Sequence, residues 1–176
     1  MARCNCYRAI TNPGHLLFFL LALLLWSLTG TAADAATLAL VPTRSEMGQG
    51  QRLSVNVRIT GAADLFSAPF YVQYDPRHLK VVAIKQGGFL KRDGVSTAFL
   101  HKEKRPGTIM VGLSRLGNKS GVSGSGTLAT LTFITLGAGH TTISLSKSDL
   151  KDSQLAPAKI HIKNATITIG PENSGP

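Results

Sequence analysis

Residues 52–60 alternate without a fault, and no other feature restricts the fold so tightly. Leu53, Val55, Val57 and Ile59 fall on one side of an extended chain, and Arg52, Ser54, Asn56, Arg58 and Thr60 on the other. A period of two buries its apolar set only as a strand with one face on a core, because a helix would scatter the same residues around its axis. Phe66, Ala68, Phe70, Val72 and Tyr74 continue the alternation until Asp75-Pro76, where proline has no N–H for a ladder and aspartate favours a turn. Residues 79–84 form a short β-branched run, and Gly87-Gly88 and Asp93-Gly94 mark turns.

Residues 95–102 and 108–115 predict two strands joined by the tight-turn pair Pro106-Gly107, the second with Ile109, Val111 and Leu113 opposed to Met110, Gly112 and Ser114. Residues 117–126 are expected to be a Gly/Ser-rich loop. Residues 127–136 predict a long strand with Ala129, Leu131 and Phe133 on one face, and Gly137-Ala138-Gly139 turns into a strand over 141–146. Residues 148–157 are polar, fitting a helical turn or a loop. Residues 159–169 close the pattern, with a bulge expected near Asn164 where the apolar phase slips from Ile160/Ile162 to Ala165/Ile167/Ile169. Eight or nine short strands and no amphipathic helix of ten residues give an all-β chain, an antiparallel β-sandwich or jelly roll.

The N-terminal 35 residues have a different character. Arg3 and Arg8 precede an apolar run at 16–28, and Ala33-Asp34-Ala35 has the small-x-small form of a cleavage site. Thirteen residues make about 20 Å of helix, short of the about 30 Å hydrocarbon core of a bilayer. The reading is a signal peptide over 1–35, with an uncleaved anchor as the competing reading. A domain over 36–170 and a polar tail over 171–176 follow, and the mature chain is expected to be secreted or periplasmic with no membrane span. Both cysteines, Cys4 and Cys6, fall in the removed segment, so the mature chain is expected to fold without a disulfide.

The mature segment carries 17 basic and 8 acidic residues, mostly scattered, with one dense stretch at Lys102-Glu103-Lys104-Arg105. Such a surface suits acidic partners, anionic glycans among them, or is simply a solvated surface. Catalytic and metal chemistry find little footing. His78, His101, His140 and His161 lie far apart, and Asp149 with Asp152 supplies too few oxygens for calcium. The acids offer no pair suited to glycoside hydrolysis. Gly124 to Ala129 matches a dinucleotide fingerprint by letter, yet a Thr-rich β segment follows where a helix is required. No enzyme activity, metal or cofactor is therefore expected. Asn118-Lys119-Ser120 and Asn164-Ala165-Thr166 are glycosylation sequons. Phe66, Phe70, Tyr74 and Phe133 have inward phase, leaving Tyr71, Phe89 and Phe99 as aromatics that could face a ligand.

Three stretches carry a family resemblance. The run from Phe70 through Tyr74-Asp75-Pro76 to Leu79-Lys80-Val81 resembles the signature strand and turn of cohesin modules. Gly124-Ser125-Gly126-Thr127-Leu128-Ala129-Thr130-Leu131-Thr132-Phe133 is similar to their Gly-x-Leu-Ala-x-Leu-x-Phe strand, and Gly107-Thr108-Ile109-Met110-Val111 fits the strand between. The resemblance spans about 37–169 and implies a nine-stranded jelly-roll sandwich related to carbohydrate-binding modules. It also implies docking of a protein partner, as cellulosomal cohesins hold calcium-loaded dockerin modules of polysaccharide-degrading enzymes. The implied binding face holds Ser67, Pro69, Tyr71 and Gln73, with Met110, Gly112 and Ser114 joining if their strand lies alongside. Ser67 and Pro69 stand where many cellulosomal cohesins carry an Asn/Asp-type pair, and Pro69 cannot make the same side-chain hydrogen bond.

Two functions follow as expectations. The first is a non-catalytic docking module for a dockerin-like, envelope or secretion partner, linked through its family to polysaccharide breakdown. The second is carbohydrate or anionic-glycan binding through the same sandwich. No nucleic-acid partner is expected.

Overall fold

The computed structural model describes residues 35–117 and 120–171. Residues 1–34, which hold all but the last residue of the signal peptide expected over 1–35, the tail from 172 onward and Asn118-Lys119 of the first sequon lie outside the described residues.

The described chain is β1 (Ala36–Pro42), β2 (Glu46–Met47), β3 (Arg52–Ser67), β4 (Phe70–Gln73), β5 (Leu79–Gln86), a 3-10 turn (Phe89–Lys91), β6 (Thr97–Arg105), β7 (Thr108–Arg115), β8 (Val122–Thr135), β9 (Gly139–Ser146), β10 (Lys151–Asp152), β11 (Ile160–Lys163) and β12 (Ala165–Ile169). One layer runs β5-β8-β3-β1-β11 and the other β6-β7-β4-β9-β12-β2. This is the expected all-β sandwich, with twelve strands among the described residues where about nine were expected. Two of the additional strands, β2 and β10, have only two residues each, and the third comes from dividing the last predicted strand. The pairing is antiparallel except for β1 with β11 and β2 with β12, which run parallel.

The alternation in β3 buries Leu53, Val55, Val57 and Ile59 completely. Their cross-strand partners in β8, among them Phe133, Leu131 and Ala129, are buried too. From the facing layer Phe70, Val72, Ile109, Val111 and Ile143 close the core. Tyr74 meets Phe133 edge to face, with ring centroids 5.2 Å apart.

Several expectations need correction. Residues 66–74 are not one strand. The ladder breaks at Ala68-Pro69, where proline has no N–H to donate, so Ser67 ends β3 and β4 begins at Phe70. Phe66 is only half-buried, and Leu65, 2% exposed, takes the inward position. Register against β8 shifts at Val57/Arg58 and slips twice more within β3, between Ile59 and Ala62 and between Ala62 and Leu65. The last two cancel, so Leu65 keeps the phase of Ile59, and the phase of Ala68 and Phe70 begins only after it. Gly61 and Asp64, the residues of positive φ in these last two slips (70° and 52°), are their bulge points.

Much of the predicted Gly/Ser-rich loop is strand, because β8 begins at Val122. Its serines satisfy the bulges: Gly61 N–H donates to Ser125 Oγ at 3.2 Å and Asp64 N–H to Ser123 Oγ at 2.9 Å. The phase slip near Asn164 is a change of layer. β11 pairs with β1, β12 with β9, and the Asn164 Oδ1 between them accepts the Leu145 N–H at 3.1 Å. Residues 148–157 form turns around β10, and Asp152 Oδ1 caps them by accepting the N–H groups of Gln154 and Ala156, each at 2.9 Å.

Candidate docking face

The outer face of β6-β7-β4-β9 gathers the residues singled out in sequence. Antiparallel register sets Tyr71 opposite Met110 and Ser146, and Met110 opposite Lys102. A second row holds Gln73, Thr108 and Ser144. At the other end Ser67 pairs with Ser114, and Ser114 with Ala98. β7 is therefore the neighbour that the docking reading requires, and Ser67, Pro69, Tyr71, Gln73, Met110 and Ser114 share one side. Ser67, Pro69, Tyr71, Met110 and Ser114 are half-buried and Gln73 is exposed. The Pro69 carbonyl accepts the Asp149 N–H at 3.1 Å, which ties this stretch to the turn after β9.

Sequence reasoning missed the most exposed apolar group on this face. Leu100 is 69% exposed and pairs with Gly112. Both phases of β6 carry one large apolar side chain, Phe99 or Leu100, so alternation alone could not choose between them. Register decides it: Phe99 lies opposite buried Leu113 and packs on the core, while Leu100 points out. A Cβ at Gly112 would have the Leu100 carbonyl, 4.0 Å away, as its nearest neighbour, so the glycine leaves a shallow gap beside Leu100. Pro69 lies across β7 on the other flank.

Cations rim the face. Lys102 and Lys104 project from β6, and Lys147 Nζ sits 5.7 Å from the Tyr71 ring centroid. Lys147 adopts a left-handed φ of 47° as it leaves β9. The nearby carboxylates are engaged elsewhere. Glu103 turns the other way and accepts the Tyr74 hydroxyl at 2.6 Å. Burial first, and this carboxylate second, push the Tyr74 phenol up to about 12. Asp149 pairs with Lys151 at 3.3 Å.

Two supports hold the frame. Arg115, fully buried at the end of β7, donates to the Leu90 carbonyl at 2.6 Å and grips both oxygens of Asp93, at 3.0 and 2.6 Å. That guanidinium holds the Asp93 carboxyl down at about 2. Asp64 accepts Gly121 N–H at 2.7 Å and bonds to Ser153, and these bonds, the Ser153 hydroxyl foremost, hold its pKa below the usual carboxylate value. Asp75 is the turn residue expected: it accepts the Arg77 N–H at 2.9 Å and binds the Arg77 guanidinium.

Of the three aromatics thought free to meet a ligand, Phe89 must be withdrawn. It is 2% exposed in the 3-10 turn, with the Arg92 guanidinium 4.4 Å above its ring. Phe99 packs partly on the core, leaving Tyr71 alone on an open face. Among the described residues no three His, Cys, Asp or Glu side chains cluster as metal ligands.

A two-layer sandwich with a flat, partly apolar face and its carboxylates occupied by structural contacts defines a binding module. The chain belongs to the cohesin domain family, whose model matches residues 38–169. Cohesin domains are non-catalytic binding modules, and the family mediates dockerin binding. Among solved structures, a non-cellulosomal cohesin from the archaeon Archaeoglobus fulgidus superposes with a TM-score of 0.66 at 22% identity, covering 78% of this chain and 92% of that one. The sixth cohesin of Acetivibrio cellulolyticus scaffoldin B, in complex with a dockerin, gives 0.66 at 20% identity over 78% of this chain and 100% of that one. The cohesin module of a Clostridium perfringens family 33 glycoside hydrolase gives 0.66 at 14% identity, over 78% and 98%. No curated protein matches the chain.

Proposed function

We propose that this chain is an exported docking module that captures a protein partner on the β6-β7-β4-β9 face. The observation that carries the reading is the exposed Leu100 beside the Gly112 gap, in one surface with Met110 and Tyr71. A partner suited to it presents an apolar side chain to that gap and acidic groups to Lys102, Lys104 and Lys147. Dockerin modules lead the candidates because of the family, and an envelope or secretion component is the other protein class. Ser67 and Pro69 in place of an Asn/Asp-type pair move the weight of recognition from side-chain hydrogen bonds toward this apolar centre. The signal segment over 1–35 supports export to a periplasm or beyond, with the binding domain at 36–170, a polar tail at 171–176 and a link to polysaccharide breakdown through the family.

The test is capture on the immobilised protein. Purified dockerin modules and the exported proteins of the source organism are passed over it with calcium and with EDTA. Native protein, Tyr71→Ala and Gly112→Arg are compared. The expected result is a specific partner retained by native protein and lost by both variants, whose melting temperatures stay near the native value. Equal retention by Gly112→Arg would place docking elsewhere.

A further inference from the structure

The opposite face of the sandwich has a different chemistry. The outward positions of β5-β8-β3-β1-β11 carry five cations: Arg52 and Arg58 on β3, Lys80 and Lys85 on β5, and Lys163 on β11. All five are exposed, and none has an ion-pair partner among the described residues. β1, β5, β8 and β11 contain no Asp or Glu at all. The single acid of β3, Asp64, lies beyond the bulges and is bound to Gly121 and Ser153. Register places the cations apart: Arg52 and Lys80 flank Ile134, and Arg58 and Lys163 flank Ala39, each pair two strand spacings or about 10 Å across. Arg52 and Arg58 are six residues apart along one strand, about 20 Å.

Hydroxyls fill the rows between them, from Thr37, Ser54, Thr60, Thr127, Thr130 and Thr132. The Thr130 hydroxyl donates to Asn56 Oδ1 at 2.7 Å. The rings on these strands are Phe66, half-buried at the far end of β3, and His161, exposed on β11 opposite Thr37.

We infer that this face binds a linear anionic polysaccharide, carboxylated or sulfated. Spaced cations with no competing carboxylate attract a regularly charged polymer, and hydroxyls that both donate and accept match a polyhydroxyl chain between its charges. Other polyanions fit less well. Phe66 and His161 stand singly on different strands and form no row on which successive single-stranded bases stack. A flat sheet presents no element to a nucleic-acid groove. Ile162 at 43% and Val41 and Val82 at 41% each, the large aliphatics most exposed on these strands, stand on three different strands, β11, β1 and β5, and offer little to insert into a bilayer. The site lies on the other layer from the docking face, so the two readings stand or fall separately.

The test uses the protein expressed from its full sequence. Binding to polygalacturonate and heparin is measured beside neutral dextran, a short DNA duplex and phosphatidylglycerol vesicles. Both acidic polysaccharides are expected to bind at low salt and dextran to give nothing. Weak, screened contacts from three cations sum to about tenfold in affinity, so Arg52→Gln/Arg58→Gln/Lys85→Gln is expected to weaken binding about tenfold. Lys102→Gln/Lys104→Gln/Lys147→Gln, with the same net charge on the docking face, changes it about twofold or less. If the first triple variant melts early, Lys80→Gln/Lys163→Gln at the sheet edges carries the same comparison. Equal loss in both triple variants would reduce the effect to net charge and overturn the assignment. So would tighter binding to the duplex or the vesicles, or no binding to either acidic polysaccharide.

Discussion

Truncating Leu100 to alanine separates what this side chain does for the fold from what it does for a partner. Burying a leucine side chain completely is worth about 1.5–3 kcal/mol. Leu100 is 69% exposed, so roughly a third of that, about 0.5–1 kcal/mol, is already realised in the free protein. Leu100→Ala should therefore lower the melting temperature by about 2–4 °C. The remaining two-thirds, about 1–2 kcal/mol, is available only to a partner that covers the side chain, which corresponds to a five- to thirtyfold rise in Kd, roughly. Leu113, on the neighbouring strand but 2% exposed, behaves in the opposite way: its truncation opens a cavity and costs about 2–5 kcal/mol of stability. Scanning fluorimetry on both variants and calorimetry of Leu100→Ala against the captured partner give the comparison. An unchanged Kd, or a fall in melting temperature matching that of Leu113→Ala, would refute the assignment of Leu100 to an interface.

Three further outcomes follow from named contacts. Asp93 is held at about 2 against an ordinary 3.8, so its contribution is complete above about pH 4 and is lost as pH falls through about 2; melting curves from pH 5 to 2 should fall less steeply for Asp93→Asn than for native protein. Gly87→Ala would place a Cβ 2.0 Å from the Thr127 carbonyl oxygen, a backbone clash that cannot relax cheaply, and should cost at least about 1–3 kcal/mol by thermal unfolding. At Gly112 a Cβ would meet nothing nearer than the Leu100 carbonyl at 4.0 Å, an ordinary contact, so the melting temperature of Gly112→Arg should stay within about 3 °C of native while partner capture fails.

The sequence made the core and the strand order legible where alternation was clean. Residues 52–60 and 108–115 became strands with the expected inward sets, and register brought β4 beside β7. Alternation fails where an extra residue enters a strand, because every later side chain changes face. The slips at Gly61 and Asp64 cancel and leave Leu65 on the phase of Ile59, so Phe66 loses the inward position at the change of face between Leu65 and Ala68, whose local signal is Pro69. Ser123 and Ser125 read as loop residues because their hydroxyls serve a strand some sixty positions earlier, a relation that no local pattern carries. No local pattern marks Arg115 for burial. Its burial depends on Asp93 and the Leu90 carbonyl, both brought to it by the turn after β5.

The course of β3 bears on how a single sandwich presents two unlike surfaces. Before Ile59 the strand sends Arg52 and Arg58 out of one layer. After Asp64 it has turned far enough for Ser67 to pair with Ser114 of the other. Past Arg58 the strand carries no Lys or Arg, so its far end brings no cation to the docking face. The amides at its bulges are satisfied by Ser123 and Ser125 rather than by charged groups. Carboxylates are used in the same way: Asp64, Asp75, Asp93, Glu103, Asp149 and Asp152 each hold a turn, a bulge or a buried partner, so few remain to neutralise the outside. The positive surface is thus left unneutralised because the acids are needed in the fold, and the hydroxyl-lined face keeps the cations of β3 because Arg52 and Arg58 precede the stretch where the strand reaches the other layer.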